Sequence, residues 1–369
     1  MEFKINSKVL EKLLSKIIPA VPVRTPMSIL ENFLFDIQDG SLTVYATDLE
    51  MSLISSINVA ADDNIKMVLP AKLLYEIIRS LGDTLVHFKV ESSSKIKLTT
   101  DNGEYDISYL PHDDFPIIPK VPVENETTIA GDDLRRAFEY TSFAIGKEDV
   151  RPAMTGMLFE FSDEGLKFIT TDSHRLIKHI NKNLKFDDNQ QYVIPEKAIS
   201  ILLKLISHND VKFYFSNSNA LFKIDDITFI SRLINDKYPA YNSVIPLVNE
   251  NKLKLDAKEI LASVKRMILF SIADNKQVRF SIETNDLEIS AEDNERGSKA
   301  KEHLHCEYDG EPMEIGFNTI YLQEILNHIE DDEIIFKLHS STKACIIVPS
   351  QPKENEDTMF LLMPIRLNN

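Results

Sequence analysis

Apolar residues recur at helical spacing in two stretches near the start of the chain. Over residues 7–18, Val9, Leu10, Leu13, Leu14, Ile17 and Ile18 share one face while Lys8, Lys12 and Lys16 stand on the other, which predicts an amphipathic helix with a basic outer stripe. Over 71–81 the design returns: Leu73, Leu74, Ile77, Ile78 and Leu81 inside, Lys72 and Arg79 outside. Pro70 suits the position just before or at that helix start. Between and after the helices come short alternating runs closed by Asp39-Gly40, Asn102-Gly103, Glu164-Gly165 and Asp309-Gly310, which read as antiparallel strands ended by turns.

The pattern repeats along the chain. Segment 30–53 aligns without a gap on 154–177, with Leu34 over Leu158, Leu42 over Leu166 and Thr47-Asp48 over Thr171-Asp172, an offset of 124. The run from Val68 likewise matches the run from Val193, placing Pro70 over Pro195. A fainter third copy puts Asn318 where the prolines stand, and LEISAED from Leu287 resembles LKFITTD from Leu166. The runs at Phe3, Thr127 and Leu253 each lead from a short strand into a helix start. An internal repeat sets the architecture, so the chain is expected to form three similar α+β domains, 1–124, 125–249 and 250–369, each with two helices on antiparallel sheet.

Composition supports several folded cores: 369 residues, 43% hydrophobic and 27% charged, with no strongly biased segment. A formal charge of -17 argues against a simple basic nucleic-acid binder. The charge is unevenly placed, however. The six expected helices carry twelve basic and eight acidic residues, which leaves -21 for the rest of the chain. If those basic faces line one surface, they attract a polyanion; an ordinary solvated helix face is the other reading. No apolar run approaches the roughly 20 residues that span a bilayer, and the segment MEFKINSKVLEK is charged, so a cytoplasmic location and no membrane partner are expected. Cys306 and Cys345 are too few for a disulfide framework and read as reduced thiols.

Chemical motifs are sparse. There is no GxGxxG and no GxxxxGK[ST], so phosphate-cradling loops of those kinds are absent. Asp172-Ser173-His174 holds triad residue types, but neighbours in an extended stretch point to alternating sides and make no relay without partners elsewhere. His303 and His305 would share one face of a strand, yet a third metal ligand at standard spacing is missing. The acidic pairs Asp62-Asp63, Asp113-Asp114, Asp187-Asp188 and Asp331-Asp332 sit among turn residues and read as solvated loops. Three repeated units without catalytic machinery point to a scaffold or binding protein rather than an enzyme, with no cofactor and no metal. A hydrolase or metalloenzyme using His174 with Asp172, or His303 with His305, is the alternative from another class, and an acidic protein-only scaffold is a third.

At TDLEM (47–51), TDSHRL (171–176), the EIGFN run (314–318) and the terminal MPIRL (363–367), the chain closely resembles the bacterial sliding clamps, the beta subunits of DNA polymerase III, over essentially its full length. The resemblance implies a head-to-tail homodimer of six DNA-clamp domains in a ring. In such a ring, the resemblance implies, the helices would line a hole that encircles double-stranded DNA without reading sequence. It further implies partners that bind through short peptide motifs: the polymerase III alpha subunit, the clamp-loader complex, and other polymerases and repair proteins.

Carried over residue by residue, the partner-peptide pocket would comprise Met154, Thr171, Ser173, His174, Arg175, Leu176, Pro239, Val244, Leu361, Leu362, Met363, Pro364, Ile365, Arg366 and Leu367. Its apolar walls would adapt to peptide anchors, and Arg175 and Arg366 would offer directional donors. Arg24, Lys72 and Lys197 match basic positions toward DNA. Tyr105 and Ile107 of one subunit would meet Ile268 and Leu269 of the other at the dimer seam. Ser173 stands where the family usually has Gly, and Asn368-Asn369 extend past its customary terminal Leu.

Overall fold

The structure, a computed structural model, describes residues 2–367 other than 62, 93, 125, 149, 273–275 and 294; Asp62 and the Asn368-Asn369 extension lie outside the described residues. Six α-helices are present among them, two per repeat: α1 (Ser7–Ile17), α2 (Ala71–Ser80), α3 (Gly131–Thr141), α4 (Glu196–Leu205), α5 (Ala257–Met267) and α6 (Thr319–Asn327). None is long and apolar enough to cross a membrane.

Each helix starts where the strand before it ends, and the residue at that junction shows why the repeats match. The side chains of Asn6, Asp256 and Asn318 accept hydrogen bonds from the second and third backbone N–H groups beyond them, capping α1, α5 and α6. Pro70 occupies the same junction before α2, in extended conformation and without a side-chain cap. The third repeat therefore replaces a conformational restraint with a hydrogen-bonded one.

The apolar stripes bury less than their spacing predicts. Helix α1 buries Leu10, Leu13, Leu14 and Ile17, and α2 buries Leu74 and Ile78. Val9 and Leu73, expected inside, are 48% and 52% exposed. Each stands beside a lysine at the margin of the stripe, so the helix surface away from the core is basic and apolar together. Lys8 pairs with Glu11, Lys16 with Asp226 and Lys258 with Asp332, so part of the basic stripe is neutralised within the chain.

Among the described residues the strands form four antiparallel sheets. Asp39-Gly40, Asn102-Gly103 and Glu164-Gly165 close hairpins as expected. Asp39 and Gly40 both take positive φ, the requirement of the tight hairpin turn whose twist suits its strands. Asp309-Gly310 only ends the two-residue strand Glu307–Tyr308, and the chain then runs on to Met313–Asn318. A turn dipeptide marks where a strand stops, not which strand comes back beside it.

Contacts group the chain into two compact units, Met1–Leu134 with Ser200–Leu233, and Arg135–Ile199 with Ile234–Asn369. They cut across the repeats because sheets are shared between repeats. In the first unit an eight-stranded sheet is made by Met51–Asn58 of the first repeat pairing with Ile227–Arg232 of the second. In the second unit a nine-stranded sheet is made by Arg175–Asn181 of the second repeat pairing with Glu356–Leu362 of the third. The two joints use equivalent strands. Each unit has a further sheet: five strands ending in Gly103–Ser108 in the first, and four ending in Ser298–His305 in the second.

The joint of the second unit is tied by a buried polar contact, His179 Nδ1 to Thr358 Oγ1 at 2.8 Å. Burial, helped by the charge of Arg136, pulls the His179 pKa down to about 4. The unfolded chain, with an ordinary histidine pKa near 6.5, takes up the proton first, so this group's contribution to stability is complete above pH 6.5 and is lost as pH falls toward 4. Denaturant titrations should show a loss of about 3 kcal/mol across that window from this group, and His179→Gln should flatten that part of the profile. At Gly165, φ is +143° and an added Cβ would lie 2.4 Å from the Asn181 carbonyl oxygen. Gly165→Ala should cost about 1–3 kcal/mol in thermal or urea denaturation, while Gly82→Ala, with nothing within 4 Å, should stay within about 0.5 kcal/mol.

Candidate functional site

The Thr-Asp motif shared by the repeats is first a turn-building device. Asp172 Oδ1 accepts from the backbone N–H groups of His174 and Arg175, at 3.0 and 3.1 Å, and Thr171 Oγ1 donates to the Arg175 carbonyl. Asp48 and Thr47 make the same bonds around Leu49 in the first repeat. The geometry drives the residue after Asp to positive φ, 75° at Leu49 and 77° at Ser173. Ser173 thus holds a left-handed conformation that glycine takes without strain. Its hydroxyl lies 3.2 Å from the Arg151 guanidinium and 3.9 Å from the Met154 sulfur.

Arg175, two residues further on, is 6% exposed in side chain and has its donors engaged inside the protein. Nε bonds Asp172 at 3.0 Å, Nη1 bonds Glu324 at 2.5 Å and Nη2 bonds the Phe143 carbonyl at 2.9 Å. The guanidinium also lies over the rings of Phe143 and Tyr321, at 5.1 and 4.7 Å from their centroids. His174 stacks on the other partner of this cluster, Tyr321, at 5.5 Å. Burial, then the Asp172 charge, raises the Tyr321 pKa and keeps its ring neutral. Arg175 therefore ties the second repeat to the third. It is not the available donor expected from the sequence.

Around this tie lies a cavity of about 470 Å³. Met154, Ser173, His174 and Arg175 line it together with Arg151 and Tyr321. Thr171 and Leu176 are buried next to it in sequence, and Leu176 joins Leu361, Met359, Tyr238 and Tyr241 in an apolar cluster. Leu362 takes the opposite side of its strand and packs in the core of the third repeat; the pleat separates it from Leu361. Beyond the strand, the Met363 N–H bonds the His174 carbonyl at 2.9 Å and the Ile365 N–H bonds the Gly316 carbonyl at 2.8 Å. Leu367 lies where a Cβ on Gly316 would stand, so glycine there admits the tail. Pro364 is half-buried, and Met363 and Arg366 are exposed. Val244 is exposed and Pro239 half-buried on the segment after Tyr238. That segment is held by Tyr241, whose hydroxyl donates to Glu160 at 2.9 Å.

Sequence reasoning did not find Phe143, Arg151, Tyr321 or Glu324. Arg151 lies three residues before Met154, but Tyr321 and Glu324 come from a different repeat, and only folding brings them to the Thr171–Arg175 turn.

The remaining expected site residues fall elsewhere. Arg24 and Lys72 are exposed and close together, Lys72 Nζ lying 3.4 Å from the Val23 carbonyl. Lys197 is exposed on α4. On Gly103–Ser108, Tyr105 is half-buried and Ile107 is already inside its own core. After α5, Ile268 is half-buried and Leu269 is 74% exposed. His303 bonds Asp286 at 2.8 Å on a sheet surface, and no metal-binding cluster occurs among the described residues.

The fold as a whole is that of one class, the DNA polymerase sliding clamps. The models of the N-terminal, central and C-terminal domains of the DNA polymerase III beta subunit match residues 1–119, 128–240 and 242–366; the chain belongs to that family. It is 29% identical over 373 residues to the beta sliding clamp of Pseudomonas aeruginosa, covering 100% of both chains. Among solved structures it matches a P. aeruginosa sliding clamp bound to griselimycin with a TM-score of 0.93 at 28% identity. The Bacillus subtilis DNA polymerase sliding clamp matches with a TM-score of 0.94 at 25% identity. Both matches cover 100% of each chain.

Arg175→Ala leaves Asp172 and Glu324 without their shared cation. It should cost about 3 kcal/mol, the low end for breaking a buried pair because Glu324 is partly open to water. Denaturation of the whole chain checks this, and Arg175→Lys, which keeps charge but not the three-way geometry, should recover less than half of the loss.

Proposed function

We propose that the protein is a non-enzymatic DNA sliding clamp: two copies close head to tail into a ring that encircles duplex DNA and tethers the replicative polymerase. The observation that carries this reading is the unfinished third joint. Met51–Asn58 of repeat one is paired with repeat two, and the equivalent Arg175–Asn181 with repeat three. The next equivalent, Ser298–His305, ends its sheet, as does Gly103–Ser108, the counterpart of Ile227–Arg232 in the first repeat. Open strand edges invite pairing, and a second copy supplies both missing partners at once. Tyr105, Ile107, Ile268 and Leu269 flank that seam.

Domains meeting near 124 and 249 are part of the same proposal. Arg24, Lys72 and Lys197 would face phosphates, holding duplex without reading bases, while the acidic remainder repels DNA elsewhere. Met154, Thr171, Ser173, His174, Leu176, Pro239, Val244, Leu361 and the tail Met363–Leu367 would receive short peptide motifs, with Arg366 as the exposed donor and Arg175 as the strut beneath. Leu362 would support that pocket from the core. Polymerase III alpha subunit, clamp loader and repair proteins would compete for it in the cytoplasm. Tethering acts through effective concentration, so no chemistry is asked of the chain and no cofactor is needed.

After loading by a clamp loader, the protein should stay on nicked circular DNA through gel filtration in high salt and be lost on linearisation. Equal behaviour on both would refute encirclement. Truncation after Leu362 should reduce polymerase processivity to the level without clamp while leaving the two-chain mass intact in sedimentation; full processivity would refute the pocket assignment.

A further inference from the structure

We propose that the seam between copies is selected by charge: Lys299 of one copy faces Asp106 of the other, and Lys301 faces Glu104. The proposal rests on the ring reading above and adds to it the register and the chemistry of recognition. The register follows from the repeats. Within their own hairpins, Leu53, Ile177 and Ala300 sit opposite Ala46, Thr170 and Ala291, so the three are equivalent. Tyr105, Phe229 and Phe360 are equivalent by the same test, opposite Leu98, Phe222 and Ile347. Both internal joints pair these positions, Leu53 with Phe229 and Ile177 with Phe360. The third joint then sets Ala300 against Tyr105. One step to either side, on the outward face, it sets Lys299 against Asp106 and Lys301 against Glu104.

At the internal joints the same positions hold no opposed charges: Ser52 meets Ile230 and Ile54 meets Thr228, while Leu176 meets Leu361 and Lys178 meets Met359. Those joints lie within one chain, where connectivity already selects the partner. At these equivalent positions only the joint that must find another molecule sets opposite charges against each other; the ion pairs that cross the internal joints, such as Arg232 with Glu50 and Lys16 with Asp226, lie at other positions. Its neighbours extend the alternation. Glu292 and Glu288 lie behind Lys299 and Lys301, and Asp286 behind His303. On the other edge Lys97 lies 3.3 Å from Glu104 and stands across from Asp106. Signs thus alternate row by row across the seam, which favours this pairing and opposes either edge meeting its own kind. His303 falls outside the opposed pairs, facing the Asp101-Asn102 turn.

Two one-sided reversals test the proposal: Glu104→Lys with Asp106→Lys, and Lys299→Glu with Lys301→Glu. Each variant alone should show an apparent dimer dissociation constant raised by about tenfold or more in sedimentation equilibrium. Mixed one to one, they should form a two-chain species containing one of each, since every seam then joins opposite signs. That rescue also shows both variants folded; melting curves check them separately. The variant carrying all four changes should dimerise with itself and not exchange with wild type. Dimerisation of both one-sided variants at wild-type strength, or failure of the folded variants to rescue one another, overturns the charge assignment while wild type remains dimeric. A one-chain wild type at all concentrations overturns the ring reading and this proposal together.

Discussion

The backbone N–H and C=O groups of a strand at the end of a sheet need partners, and the structure is organised around that need. The two equivalent strands, Met51–Asn58 and Arg175–Asn181, each find theirs in the following repeat. Two of the four sheets thereby run across a boundary between repeats. Compact units that cross the repeats follow directly, because hydrogen bonds run continuously where the repeat boundary lies. The same requirement leaves Ser298–His305 and Gly103–Ser108 as the open ends on which the proposed assembly depends.

The helices answer a different constraint. Their buried stripes are narrow, and the flanks carry lysines beside exposed apolar residues such as Val9 and Leu73. Several of those lysines are neutralised by carboxylates of the same chain. A surface with modest, partly offset positive charge suits a partner that must be held loosely. Tight binding to a polyanion would need a dense, unpaired basic patch.

At the candidate pocket, geometry reverses the first reading of one residue. A sequence containing His-Arg-Leu after a turn presents Arg175 as a ready donor. In the fold its guanidinium lies between two aromatic rings with two carboxylates and a carbonyl on its nitrogens, and it serves as the beam on which the pocket wall rests. Ser173, held at positive φ, turns a position that glycine would leave empty into a polar contact with Arg151 and Met154. The pocket lip in this chain is therefore chemically distinct at that point.

The amino-acid sequence by itself determined the elements, the threefold repeat and the class of protein. Spacing of apolar residues, capping residues and turn dipeptides are local signals, and the repeat makes each of them visible more than once. The motifs TDSHRL and MPIRL mark the turn and the tail. What only tertiary structure decided is which distant groups meet: Tyr321 and Glu324 on Arg175, Gly316 beneath Leu367, and the strand pairing that fuses repeats. Those contacts join residues 51 or more positions apart, or depend on which way a pleat turns, as Leu361 and Leu362 show by facing opposite sides. Local patterning fixes a strand's faces, but pairing between strands is a long-range choice made by the whole fold.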